Sequence, residues 1–290
     1  MAITDADRYI ISSGIIAFNI IGLFGNVNVI YAHYRLPALR TRFGILLTLL
    51  CISQSICLMS EPITAIYSFT KIPVMEKREN LRSTCFTFFA NGIFWHCTLT
   101  GLMTTISVDL FISVVFPLRH RRFRTLPYLL VLSIPTLIYG CSVLTVAIVT
   151  MDSSIVSICN IPLALKGLGS RFWYYGAFIF CAVILVTYDG AIRSSTTVEK
   201  KAIRSISVLV IVFVVTRFLG TISSNILILI GVNTDTVELV QSYNVYIALV
   251  NYSTTFYICI FRSVEYRRIF NHQITRLIGI RVDQSRIGSS

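Results

Sequence analysis

Four ionisable side chains stand inside long apolar runs. They are Glu61 in MSEPITA, His96 in FWHCT, Asp109 in ISVDLFISVVFPLRHRRFR and Arg217 in FVVTRFLG. Groups of this kind in apolar surroundings are expensive, and they mark either a paired charge or a recognition site. Catalytic sets are absent from the sequence. It has no glycine-rich phosphate loop, no HExxH and no G-x-S-x-G, and His33, His96, His120 and His272 are scattered. The chain is therefore expected to be no enzyme and to need no cofactor or metal. Eight cysteines include no C-x-x-C pair, so a zinc or thioredoxin-type site is not expected. Most of them lie within apolar runs, where a thiol behaves as a small hydrophobe. Cys85 and Cys159 instead sit at or beside the edges of such runs.

The elements that must position these groups follow from composition. Of 290 residues, 55% are hydrophobic and 13% charged, with a mean hydropathy of +0.76. Soluble domains carry about 25% charged residues, so the chain reads as a membrane protein. A bilayer core about 30 Å thick needs roughly 20 apolar residues as helix. Seven segments qualify, at about 10–32, 44–69, 86–116, 127–149, 172–191, 203–230 and 239–261. The expected class is an all-α membrane protein, a seven-transmembrane helix bundle spanning 10–261. Residues 1–9 form a short outer N-terminus, and 262–290 form an amphipathic helix and a disordered tail.

Charge sets the orientation. With the N-terminus outside, inner segments hold 17 Lys and Arg and outer segments 7, while Arg217 within a span completes the 25. That bias supports an outside N-terminus and a cytoplasmic C-terminus. It also explains the net charge of +12 without nucleic acid, and it sets the inner arginines against anionic lipid. The N-terminus lacks the basic start of a signal peptide. The sequon at Asn251–Ser253 falls inside the seventh span, where glycosylation cannot reach it.

Cys85 and Cys159 then both face the oxidising side, where a disulfide persists. Such a bridge would tie the loop between spans four and five over the third helix. Asp109 follows Cys85 by 24 residues, roughly 36 Å of helix at 1.5 Å per residue. It therefore belongs at the inner end of span three. Arg217 needs a partner, and Glu61 is the acid available in an outer half-span.

The layout resembles the rhodopsin-like G-protein-coupled receptors, and more closely the nematode serpentine chemoreceptors of class Sx. The fragments that carry the resemblance are GLFGNVNVIY, CFTFF, ISVDLFISVVFPLRH, CNIPLAL, VELVQSYNVYIALVNYS and FRSVEYRRIF, in this order on seven spans. It implies a plasma-membrane receptor of a chemosensory cell, with a small-molecule ligand and a heterotrimeric G-protein as partners. Asn26 matches the family's first-helix Asn and is expected to share a polar cluster with Gln54, which replaces a buried Asp. Leu110 stands where the family has the Arg that follows Asp109, and Arg217 stands where it has a Trp. Gly92 occupies the place of the carboxylate used by amine receptors, so an amine ligand is not expected from the resemblance. The implied pocket comprises Gly92, Phe94, Trp95, His96, Arg217, Phe218 and Glu61. Arg217 and His96 form its floor and favour an anionic or acceptor-rich ligand. Arg119, Arg121, Arg122 and Arg204 face the G-protein. A channel or transporter is the alternative class, which inverted repeats and broken helices would favour. A receptor-fold partner with weak signalling is another.

Overall fold

The first helix opens on a reciprocal cap. The Asp7 amide donates to Thr4 Oγ1 at 3.2 Å, and the Thr4 amide donates back to Asp7 Oδ2 at 3.0 Å. Two N–H groups that a helix start leaves without partners are thereby satisfied. The same helix, α1 (Asp5–Arg35), ends at Leu36 because Pro37 forces the residue before it out of the helical region, to φ −114° and ψ 104°. A computed structural model describes residues 4–74, 81–156, 159, 161–165, 167–262 and 266–271.

In chain order there follow α2 (Arg42–Val74), α3 (Arg82–Val115), the short α4 (Pro117–Arg122), α5 (Thr125–Val149), the one-turn α6 (Ile161–Ala164), α7 (Gly167–Ser194), α8 (Thr197–Leu229), α9 (Thr234–Tyr243) and α10 (Val245–Arg262). Seven of these units are long and apolar enough to cross a membrane: α1, α2, α3, α5, α7, α8 and the α9–α10 pair. The seven spans expected from hydropathy coincide with them. Among the described residues there is no strand, only an isolated bridge between Leu81 and Ile155. An all-helical solution meets the demand of lipid, since a helix bonds each backbone N–H and C=O within its own segment.

The axis of the bundle is α3. Every residue from His96 to Ser107 is buried, so this stretch has no lipid-facing side. Most of its threonines cope with burial by bonding their own helix, as Thr98 Oγ1 donates to Phe94 O at 2.9 Å and Thr104 Oγ1 to Thr100 O at 3.1 Å, while Thr105 Oγ1 reaches Leu132 O of α5 at 3.2 Å. The peripheral helices turn apolar residues outward, among them Ile20, Val131, Ile138 and Val186. A close approach joins α1 to α10 at Gly25, where a Cβ would lie 2.8 Å from Phe256 Cβ. Any larger residue there would separate the helices.

The last span is interrupted at Asn244, between α9 and α10. The Asn244 side chain donates to Gly220 O at 3.3 Å and to Ser223 Oγ at 3.0 Å, which fastens the interruption to α8. Past α10, residues 266–271 are helical. Tyr266 and Phe270, one turn apart, are buried, while Arg267 and Arg268 are exposed. The Tyr266 hydroxyl lies 3.1 Å from His33 Nε2 of α1. The expected disordered tail lies outside the described residues.

Candidate functional site

At one end of the bundle, Cys85 of α3 and Cys159 form a disulfide with Cα atoms 5.4 Å apart. Arg82 reinforces this crossing. Its Nη1 donates to both Asp152 carboxylate oxygens, at 2.9 and 3.1 Å, and its Nε to Leu163 O at 3.1 Å. The tethered segment leads directly into α6, and Ile161 and Pro162 of α6 roof a cavity of about 80 Å³. Glu61 of α2, His96 of α3, Trp173 of α7, Arg217 of α8 and Asn251 and Tyr252 of α10 line it, together with Gln241 and Asn244 beside the interruption in the last span.

Arg217 crosses from α8 to α3. Its Nη1 sits 2.8 Å from His96 Nε2 and 3.0 Å from Nδ1. A guanidinium only donates, so the imidazole offers it a lone pair. Nη2 donates to His96 O at 3.0 Å and to Thr100 Oγ1. His96 and Thr100 are one turn apart on α3, a spacing that suits the two-pronged guanidinium. His96 is further held by Trp173 and Tyr252, with ring centroids 5.2 and 6.0 Å away.

The sequence expectation of an Arg217–Glu61 pair is corrected here, because Arg217 spends its terminal nitrogens on α3. Glu61 is buried against the cavity, and among the described residues no group hydrogen-bonds or pairs with its carboxylate. The expected lining is corrected at four more positions. Phe218 is 52% exposed on the outer face of α8, because it follows Arg217 directly and points about 100° away round the helix. Trp95 packs edge-on to Phe94 at 5.7 Å, and Phe94 itself covers Gly140 of α5; neither lines the cavity. Gly92 is a packing position: a Cβ there would sit 3.0 Å from Ser60 Oγ, so a larger side chain would require Ser60 to give way.

Deeper in the bundle Asn26 and Gln54 each bond a backbone carbonyl of α10. Asn26 Nδ2 donates to Tyr252 O at 3.1 Å and Gln54 Nε2 to Asn251 O at 3.2 Å. Asn251 Nδ2 in turn donates to Thr216 Oγ1 at 3.0 Å. Thr216 precedes Arg217, so the polar cluster and the cavity share α8 and α10. Asp109 is not part of this cluster. It lies at the far end of α3, where His120 Nε2 is 2.9 Å from its Oδ1. Leu110 is half-buried beside it. Arg42 of α2 closes the arrangement, donating to His120 O at 2.5 Å and to Phe123 O, with its guanidinium 5.2 Å from the Tyr128 ring. Arg119, Arg121 and Arg122 are exposed on α4. The side chain of Arg204 lies outside the described residues.

Sequence reasoning passed over Asn251, Thr216, Thr100 and His120. Asn251 could have been found: it is a polar residue at depth in a span, the criterion that singled out Arg217, but it was explained away as a stray sequon. His120 gave no local signal, since its role depends on the chain turning back at Pro117.

The fold is that of squid rhodopsin, whose crystal structure superposes with a TM-score of 0.73 over 98% of this chain and 90% of that one, at 16% identity. A comparison with the curated proteins gives no match. The family model for the serpentine type 7TM GPCR chemoreceptor Srsx matches residues 19–274. With seven membrane-length helices, the rhodopsin fold and that match over most of its length, the chain belongs to the Srsx family of seven-transmembrane G-protein-coupled chemoreceptors and is a multi-pass membrane protein.

Proposed function

We propose that the chain is a chemosensory receptor of the plasma membrane, with its N-terminus and disulfide outside. A small molecule binds in the cavity beneath α6, and a heterotrimeric G-protein is engaged at the opposite end. The observation that carries this reading is the Arg217 crossing. It joins α8 to α3 at the cavity wall, and the next residue back, Thr216, is bonded to Asn251 of α10. A ligand that contacts these side chains differently in two helix arrangements shifts their populations by its differential affinity. The excess of Lys and Arg on the segments assigned inward supports the orientation. Arg119, Arg121 and Arg122 are free on that face to meet the G-protein as well as lipid.

The test is surface expression in a cell with a promiscuous G-protein, screened with a small-molecule panel and with Leu110→Arg alongside. Ligand-dependent recruitment supports signalling. Surface expression with no recruitment in either form sinks it and leaves a receptor-fold protein without this output.

A further inference from the structure

We propose that Glu61 is the counter-ion for a compact, ammonium-bearing ligand held in the cavity, an assignment that rests on the cavity being the ligand site. Glu61 is only 5% exposed and lines the cavity, yet no group among the described residues bonds its carboxylate. A buried carboxylate without a partner is costly, and a complementary cation removes that cost. Some donors around it are engaged, while Arg217 Nε, Trp173 Nε1 and the Tyr252 hydroxyl have no partner among the described residues. Arg217 gives its terminal nitrogens to His96 and Thr100, and Asn251 gives its amide to Thr216. A ligand thus meets an acceptor in Glu61 and open donors in Trp173 and Tyr252, so an ammonium at one end is compatible with an acceptor group at the other. Trp173 and Tyr252 line the same space, and aromatic faces attract ammonium groups.

Size narrows the class. A cavity of about 80 Å³, at 10–15 Å³ for each water-sized unit, holds roughly five to eight non-hydrogen atoms. Arg217 lines the same cavity as Glu61, so both a simple amine and a small amino acid meet the requirement. Each presents an ammonium, and the test separates them.

The experiment measures binding to the purified receptor in lipid nanodiscs, with three probes of matched chain: n-butylamine, 4-aminobutyrate and butyrate. Saturable binding of n-butylamine or 4-aminobutyrate is expected, weakened about tenfold or more by Glu61→Gln. Response to both probes, or to one of them, tells the amine from the amino acid. Binding of butyrate alone, no binding of either ammonium probe up to roughly 100 mM, or an affinity unchanged by Glu61→Gln would overturn the assignment. Should Glu61→Gln not fold, the wild-type contrast decides: n-butylamine is expected to bind about tenfold tighter than n-butanol, and equal affinities refute the proposal. No G-protein is present in this measurement. Binding without signalling would leave Glu61 assigned while removing the signalling proposal, and signalling by ligands that lack an ammonium would do the reverse.

Discussion

Asp109 at the end of α3 is held by His120 of α4, with Nε2 to Oδ1 at 2.9 Å, across the bend that Pro117 initiates. The residue next to Asp109, Leu110, has no polar group to offer. The polar partner comes instead from the next helix, 11 residues on, and Arg42 of α2 binds the carbonyl of that same His120.

This arrangement predicts a measurable coupling. In a double-mutant cycle of Asp109→Asn and His120→Ala, thermal stability in nanodiscs should be non-additive by about 1 kcal/mol. Repeated in the Leu110→Arg background, the coupling should shrink, because a neighbouring guanidinium competes for the carboxylate. An additive cycle in the wild-type background would show that the pair contributes nothing.

Arg217→Lys is expected to destabilise the receptor by about 2 kcal/mol, because an ammonium cannot serve His96 and Thr100 together as a planar fork does. The measurement is the thermal midpoint at fixed lipid composition. A midpoint equal to wild type would mean that charge alone, not the two-pronged contact, is what α8 supplies.

Asn251 should carry no glycan despite its sequon, since it is buried between α8 and α10. Glycosidase treatment should leave the mass of surface-expressed receptor unchanged. Asn251→Leu and Gln54→Leu should each cost about 1 kcal/mol of stability, the net worth of a single hydrogen bond. A mass shift on glycosidase treatment would be incompatible with the described packing of α10.

Replacing Cys85 and Cys159 together by Ser should lower stability by about 2–4 kcal/mol, the usual effect of removing a native disulfide. Ligand binding should fall as well, since the bridge holds Ile161 and Pro162 over the cavity. Intact-mass analysis without reductant checks the premise, and two free thiols in the wild-type protein would contradict it.

How much of this was legible beforehand depended on distance along the chain. The seven spans could be read because hydropathy over 20 residues is a local property. Cys85 and Cys159 could be paired because the spans place them on one side. Arg217 announced itself as a charge in lipid, but not its partner: Glu61 was the available acid, and the choice of His96 and Thr100 depends on the angle at which α8 crosses α3. Phe218 was misjudged for a rotational reason, since a shift of one residue turns a side chain from cavity to lipid. The interruption at Asn244 was hidden inside one continuous apolar window, because Asn244 bonds α8 rather than displaying any helix-breaking residue.

Consider finally α3, which runs from Arg82 to Val115 without a proline. His96 and Asp109 lie 13 residues apart on it, roughly 20 Å at 1.5 Å per residue. One grips Arg217 and the other grips His120. The helix between them is uninterrupted and every residue from His96 to Ser107 is buried, so it couples the two contacts mechanically. In the receptor proposed above, a turn or slide imposed at the Arg217 crossing would be carried along α3 to the His120 contact.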